Sequence, residues 1–382
     1  MAVAIHIIFG GLSPPCPRSW PTFLSPARER DRRERESMNP ATLRGAARRR
    51  KATFSWTQPV VLTHRCAFHC DYCPYPSTAG SPLPSIGRLK ESIAVAHRLG
   101  LRQVRLTGGE GVENHSEIVS TFRHYGYRTW AEYLKAVLGE IARNSARPPL
   151  FPEIDLGAMP FFHMNRLRPF IFTLRIYLDS MDARLQSAPP HARSRGKWPR
   201  ARLGAILSAG RLGIPINSGL MVGIGESAES RRRALETLAK IAARHGHVQS
   251  VAIHPFEPRA RTAMSAHPRP SNDLLLEVTA MARRILPRGV VVQVPMAGRP
   301  ERALEFIEAG AEDFGDFELT GDPAADGPTL NAFRVVRDRL DERGIALADR
   351  LSVFPRFARA KWLTPRYREL LSGLTRANGR AA

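Results

Sequence analysis

QPVVLTHRCAFHCDYCPYP, residues 58–76, begins as a short apolar run and ends as a cluster of thiols. QPVVLT (58–63) reads as a β-strand, and Cys66, Cys70 and Cys73 follow in the loop at its C-terminal end. The only other cysteine in the 382 residues is Cys16. So few cysteines in so long a chain do not make a disulfide scaffold. Clustered thiols of this kind point to metal binding or redox chemistry in a reducing compartment.

Working outward from that strand, β-rich runs alternate with amphipathic stretches. QVRLTG (103–108), PEIDLGA (152–158), FTLRIYLD (172–179), PINSGLMVG (215–223), VQSVAIHPF (248–256), GVVVQVP (289–295) and DFGDFEL (313–319) each precede a helical pattern. About eight strand–helix units of this kind predict an α/β protein with a (β/α)8 TIM-type barrel, whose chemistry lies at the C-terminal ends of the strands. Residues 1–52 are rich in Pro and Arg without periodicity and read as a disordered basic tail. Residues 53–320 are assigned to the barrel and 321–382 to a helical extension packed on it. Met38, in SMNPATL, offers an alternative start that would remove Cys16.

Hydrophobic residues make up 43% of the chain, enough for a sizeable core. No apolar run approaches the roughly 20 residues of a membrane span. The opening AVAIHIIFGGL is too short to span and lacks a basic n-region, so the expectation is a cytoplasmic protein with no membrane partner. The net charge of +22 is carried by arginine spread along the chain. That spread gives nucleic-acid binding little support, and acidic metabolites or an acidic partner suit it equally.

The spacing C-x3-C-x2-C admits three readings. Three thiolates on a tight loop can bind three irons of a [4Fe–4S] cluster and leave the fourth iron open. A structural zinc site normally takes four ligands, with His64 or His69 completing it. Cys70 and Cys73 also form a CxxC redox pair, which leaves Cys66 unexplained.

The cysteine loop after strand one of a barrel resembles that of the radical S-adenosylmethionine (radical SAM) superfamily, with Tyr72 at its usual aromatic position. The resemblance implies a [4Fe–4S] cluster on Cys66, Cys70 and Cys73, and S-adenosylmethionine (SAM) as second cofactor. It also implies SAM-positioning roles for Gly108, Gly109 and Glu110 of LTGGE, Asp179 after the fourth strand, and Gly223 and Glu226 of GLMVGIGE. Each has a plainer reading: a glycine turn, a helix N-cap, and a first-turn acid favoured by the helix dipole. Tyr177 and His254 are the candidate catalytic residues, and His254 is equally a packed loop residue.

From about 58 to 373 the chain resembles the radical SAM subunit of FO synthase, which closes a deazaflavin ring. AGRLGIPINSGLMVGIGES (209–227), HGHVQSVAIHPFEPRARTAM (245–264), GAEDFGDFELT (310–320) and LADRLSVFPRF (347–357) carry the likeness. It implies a small-molecule substrate, a tyrosine-derived adduct of ribitylaminouracil, and loss of ammonia. An electron donor such as flavodoxin or ferredoxin and a second radical SAM subunit are the implied protein partners. The chain departs from the family at CPYP, TGGEGVENH, Asp179, PFEPR, QVPMAGR and GDFELTGD, mostly at strand C-termini. Two alternatives follow: a diverged paralogue acting on another small molecule, and a non-catalytic, zinc-stabilised, nucleic-acid-binding protein.

Overall fold

The computed structural model describes residues 51–75, 83–143, 148–296 and 298–379. The expected tail and Cys16 therefore lie outside the described residues, save that Lys51 and Ala52 open the first strand. Eight parallel strands close on themselves: β1 (Lys51–Val61), β2 (Gln103–Thr107), β3 (Phe151–Asp155), β4 (Thr173–Arg175), β5 (Ile216–Val222), β6 (Val248–Pro255), β7 (Val291–Gln293) and β8 (Asp313–Glu318). Each pairs with the next, and β1 pairs with both β8 and β2. The predicted (β/α)8 barrel is thus present.

The helices that cover it are α1 (Ile86–Arg98), α2 (Ser116–His124), α3 (Trp130–Arg143), α4 (Phe161–Leu167), α5 (Pro199–Arg211), α6 (Ala228–His245), α7 (Asn272–Ile285), α8 (Ala303–Ala309), α9 (Pro323–Asp341) and α10 (Pro365–Gly379). Their ends are written locally. Ser85, Ser227 and Ser271 each accept a hydrogen bond from a backbone N–H in the first turn of α1, α6 and α7. α6 stops at Gly246, whose φ of 70° suits a residue without Cβ. Its inward face repeats at helical spacing in Ala234, Leu235, Leu238, Ile241 and Ala242.

Two features depart from the sequence expectation. Regular pairing of the fourth strand ends at Arg175, and beyond it only a bridge between Asp179 and Leu220 continues the ladder. Asp179 has φ of 61°, which turns the backbone out of the extended line. The expected helical extension also contains a strand, β9 (Ala346–Asp349), paired in parallel with Lys51–Phe54. β1 is long enough to serve both: its first residues hold β9 and its last ones hold β2.

After β9 the chain closes the N-terminal end of the barrel. Arg350 grips Asp313 through Nε (2.5 Å) and Nη2 (2.6 Å). The Ser352 N–H donates to Gln103 Oε1 (2.5 Å), and its carbonyl accepts from Asn217 Nδ2 (3.1 Å) and Gln249 Nε2 (3.3 Å). The Phe354 N–H donates to Gln249 Oε1 (2.9 Å). Beneath lies a second apolar cluster of Phe151, Phe172, Phe354, Phe357, Trp362 and Tyr367. Buried amides inside a barrel thus find partners in the plug's backbone.

Gln249→Ala strips the plug of two of these contacts and leaves the Phe354 N–H buried without its acceptor. The expected loss is about 2 kcal/mol, seen as a lower thermal midpoint of the full chain; an unchanged midpoint would show that the plug does not depend on this amide.

Candidate active site

The cysteine loop is mounted on the end of β2 by backbone contacts. Gly109 N–H donates to Thr63 O (2.9 Å), and Ala67 N–H donates to Glu110 O (2.9 Å). A Cβ at Gly109 would stand 1.7 Å from Arg65 O, and one at Gly108 would stand 3.0 Å from Thr63 O. The two glycines therefore let the cysteine loop itself approach, a close backbone contact whose partner the sequence did not name. Cys66 Sγ accepts from the Phe68 N–H (3.4 Å) and the Glu110 N–H (3.3 Å).

Cys70 is buried, and Cys66 and Cys73 are half-buried. Burial pushes all three thiols up, Cys70 to about 11, against the opposing pull of the Lys197 ammonium. His69 is exposed, and His64 packs edge-on against Tyr75 with ring centroids 5.1 Å apart. Among the described residues no three Cys, His, Asp or Glu side chains converge on a single-ion site.

Beside the thiols lies an ion network that brings Glu110 and Asp179 together. Lys197 Nζ stands 3.2 Å from Glu110 Oε1 and 2.9 Å from Asp179 Oδ2. Arg202 Nη2 donates to Glu110 Oε1 (2.5 Å) and lies 3.7 Å from Asp179 Oδ2. Burial raises both carboxyls, but the two cations more than offset it and hold both below the ordinary carboxylate value. Glu110 Oε2 is buried with no hydrogen-bond partner among the described residues. Gly157 makes room for this carboxylate, since a Cβ there would lie 2.0 Å from Glu110 Cδ. The positive φ of Asp179 carries a strain of about 1–3 kcal/mol, and the network holds the residue in place.

Lys197 and Arg202 went unnoticed in the sequence, as did His191 and Ser194 on the same segment. Tyr72 Oη sits 2.9 Å from His191 Nε2, and burial lowers the His191 pKa to about 4, so its ring is neutral at neutral pH. The signal available was RSRGKWPRAR (193–202), a run of cations leading into the helical pattern at 200–213, with nothing to fix its direction. Asp182, not Asp179, caps the short turn that follows, by accepting from the Arg184 N–H (3.1 Å).

Glu226 stands apart from this network. Its carboxylate accepts from the Gly223 N–H (3.0 Å) and the Ile224 N–H (2.8 Å) and pairs with Arg231 (2.8 Å). It folds the GIGE turn after β5 onto α6, while Gly223, at φ of 96°, lies close against Pro270. Tyr177 and His254 meet in the barrel, with ring centroids 6.0 Å apart. Burial pushes the Tyr177 phenol up to about 12 and lowers the His254 pKa. His254 Nδ1 lies 3.0 Å from the carbonyl oxygen of Pro255.

Below these rings the barrel holds a charged floor. Asp316 accepts from Arg105 Nη1 (3.1 Å), Ser55 Oγ (2.5 Å) and Arg175 Nη2. Arg175 also pairs with Glu153 (2.7 Å), which accepts from Asn217 Nδ2 (2.8 Å). Arg105 pairs with Glu318 and lies 3.8 Å from Asp155. The side chains of Asp155 and Glu318 are 33% and 39% exposed, so they face the open mouth. Thr57, opposite Glu318 on β1, is buried with its hydroxyl unpartnered among the described residues. Glu153 and Asp155 in PEID, and Asp316 and Glu318 in DFGDFE, stand at alternate positions, which a strand turns to one side.

Burial raises the Asp316 carboxyl, and Arg175, Arg105 and Arg350 overcome it, leaving its pKa well below that of an unfolded aspartate. The stabilisation from this group is therefore complete above about pH 4 and is lost as pH falls below that. Asp316→Asn leaves Arg105 and Arg175 without their shared anion, and the expected cost is about 3–5 kcal/mol. Its stability profile should be flatter than that of the parent on the acid side; parallel profiles would show that Asp316 does not contribute this dependence.

The profile of the Radical SAM superfamily matches residues 60–238. The 7,8-didemethyl-8-hydroxy-5-deazariboflavin synthase of Methanococcoides burtonii is 30% identical over 335 residues, covering 86% of this chain and 97% of the relative. The synthase of the same name from Archaeoglobus fulgidus is 29% identical over 334 residues, covering 86% and 98%. The crystal structure of methylornithine synthase superposes with a TM-score of 0.57 at 17% identity, over 78% of this chain and 84% of that one, a likeness of fold. Such agreement along nearly the full length of its relatives places this chain in the radical SAM superfamily, within the family of the 7,8-didemethyl-8-hydroxy-5-deazariboflavin synthases.

Proposed function

We propose that the protein is a radical SAM enzyme of the FO-synthase type, with a [4Fe–4S] cluster on Cys66, Cys70 and Cys73 and SAM held next to it. The observation that carries this reading is the juxtaposition of three thiols on one loop with a paired-ion network at the C-terminal end of the barrel, joined through Glu110, whose N–H meets Cys66 Sγ. The donor set fits the group. It offers three sulfur ligands and no single-ion cage among the described residues, while the Phe68 and Glu110 N–H groups already point at Cys66 Sγ. When bound and reduced, the cluster supplies the electron that cleaves SAM to a 5′-deoxyadenosyl radical, which takes hydrogen from the substrate.

The chain's own groups supply the rest. An amino acid's ammonium and carboxylate need fixed charges of both signs, and Glu110, Asp179, Lys197 and Arg202 supply two of each. The unpartnered Glu110 Oε2 is the acceptor left over for the ammonium. Glu226 acts here by holding the Gly223 backbone rather than by reaching a ligand with its own carboxylate. Tyr177 and His254 pack against each other in the barrel and are the candidates to act on the substrate, with burial favouring the neutral imidazole that can accept a proton. Arg105, Asp155, Arg175 and Glu318 form a floor suited to a polar small molecule. The reaction assigned is ring closure on the hydroxybenzyl–ribitylaminouracil adduct with release of ammonia, the adduct coming from a partner radical SAM subunit.

A second reading keeps the chemistry and changes the substrate. It draws on the departures at strand C-termini, where QVPMAGR and GDFELTGD stand in place of the family's usual segments.

Anaerobic reconstitution should give about four irons with matching sulfide per chain, and dithionite-dependent formation of 5′-deoxyadenosine that Cys70→Ala abolishes. Deazaflavin formation from the adduct would establish the first reading. Cleavage without product from the adduct would favour the second. One zinc, no sulfide and no cleavage would sink both.

A further inference from the structure

The inward face of the barrel mouth holds more acid than base. Arg105 is shared by three carboxylates: Asp316 accepts from Nη1 (3.1 Å), Glu318 pairs with Nη2, and Asp155 lies 3.8 Å from Nε. The last distance is too long for a hydrogen bond, and Arg105 Nε is buried without a partner among the described residues. Arg175 pairs with Asp316 and Glu153, while Arg350, toward the other end of the barrel, is taken by Asp313. Two guanidinium groups thus face four carboxylates. Burial pushes the Glu153 carboxyl up. Even with that group neutral, three carboxylates remain against two cations.

Thr57 points into the same place. It is the β1 partner of Glu318 in the parallel register, so the two side chains share one face of the sheet. Thr57 is fully buried, and its hydroxyl has no partner among the described residues. Ser55, one step below on that face, has Asp316 (2.5 Å), whereas Thr57 has nothing comparable. A buried hydroxyl costs stability while it stays unpaired. Beside two partly exposed carboxylates it marks a position kept for a ligand. Val61, four residues further along the same face of β1, is 39% exposed, so the space above is open to solvent.

Asp155, Glu318 and Thr57 present oxygen acceptors, and a primary ammonium carries three N–H donors together with the charge that the mouth lacks. A neutral hydroxyl meets the same oxygens but leaves the charge unbalanced. We propose that Asp155, Glu318 and Thr57 form a substrate-recognition subsite for a protonated amino group, in addition to the place for an ammonium at Glu110. The inference rests on the functional reading above, which makes the mouth the substrate side, and it names the class of molecule taken there as one that carries a positively charged amine. Arg105 is the positioning residue, because its Nε and Nη2 edge keeps both acids beside each other. The subsite selects and orients, and no bond is made or broken by it.

The test uses the reconstituted full chain with saturating SAM and no reductant, so that the place at Glu110 is filled. Benzylamine and benzyl alcohol serve as probes of equal size that differ in charge, and their binding is followed by ligand-observed NMR. The parent should bind benzylamine at least about tenfold more tightly than the alcohol, as charge-assisted hydrogen bonds require. Asp155→Asn/Glu318→Gln should abolish that preference. Thr57→Val keeps the shape of the side chain and should weaken benzylamine about threefold or more. Its thermal midpoint should be no lower than the parent's, since the hydroxyl has no partner to lose among the described residues. A purely structural hydroxyl would do the opposite, lowering the midpoint and leaving the probe unaffected. Equal affinity for the two probes would overturn the proposal, as would a benzylamine preference that persists in full in both variants. The functional reading is judged separately. A chain that cleaves no SAM yet prefers benzylamine through these residues keeps the subsite and loses the radical chemistry, and one that turns over the adduct while treating the probes alike does the reverse.

Discussion

The Lys197 ammonium is the interaction on which the candidate site depends. It lies within 3.2 Å of Glu110, at the end of β2, and 2.9 Å of Asp179, beyond β4. Arg202, on α5, repeats both contacts at 2.5 and 3.7 Å. Burial pushes both carboxyls upward, and the two cations reverse that shift. Each cation in turn suffers from its neighbour, since burial and Arg202 both work against Lys197. Only the set of four is balanced, and each member removed leaves a buried charge behind. The positive φ of Asp179 is a local cost that the same contacts hold in place.

The barrel interior follows the same logic at larger scale. TIM barrels usually fill their lumen with layers of branched apolar side chains. Here Ser55, Arg105, Glu153, Arg175, Asn217 and Asp316 occupy it instead. Such a core loses stability with each group left unpaired. The plug after β9 reduces that loss, with Ser352 and Phe354 offering backbone groups to Gln103, Asn217 and Gln249. The C-terminal extension is thus part of the barrel's polar accounting as well as a cover for Phe151 and Phe172.

This explains which parts could be read from sequence. The barrel was legible because strand and helix periods alternate from QPVVLT to DFGDFEL, and period is a local property. The cysteine loop was legible because its three thiols are adjacent in the chain. LTGGE pointed to close backbone approach, but the partner, Arg65 O, follows only from the fold. Lys197 and Arg202 were not legible, since nothing local distinguishes them from other cations in an arginine-rich chain. β9 was missed for a similar reason: Ala346–Asp349 is short and half-exposed and gains its identity from the free edge of β1. Glu226 shows the converse, a motif residue whose carboxylate is already taken by Gly223, Ile224 and Arg231.

The placement of these groups separates two routes to the cysteine loop. Glu110 lines the recess that opens toward α4 and α5. Asp179 lies two residues after Tyr177, whose ring faces His254 inside the barrel. Lys197 touches both carboxylates, so one ammonium ties the outer approach to the inner one. A bound anion or cation that draws on this balance from one side must alter it on the other, because Glu110 and Asp179 share the same two cations.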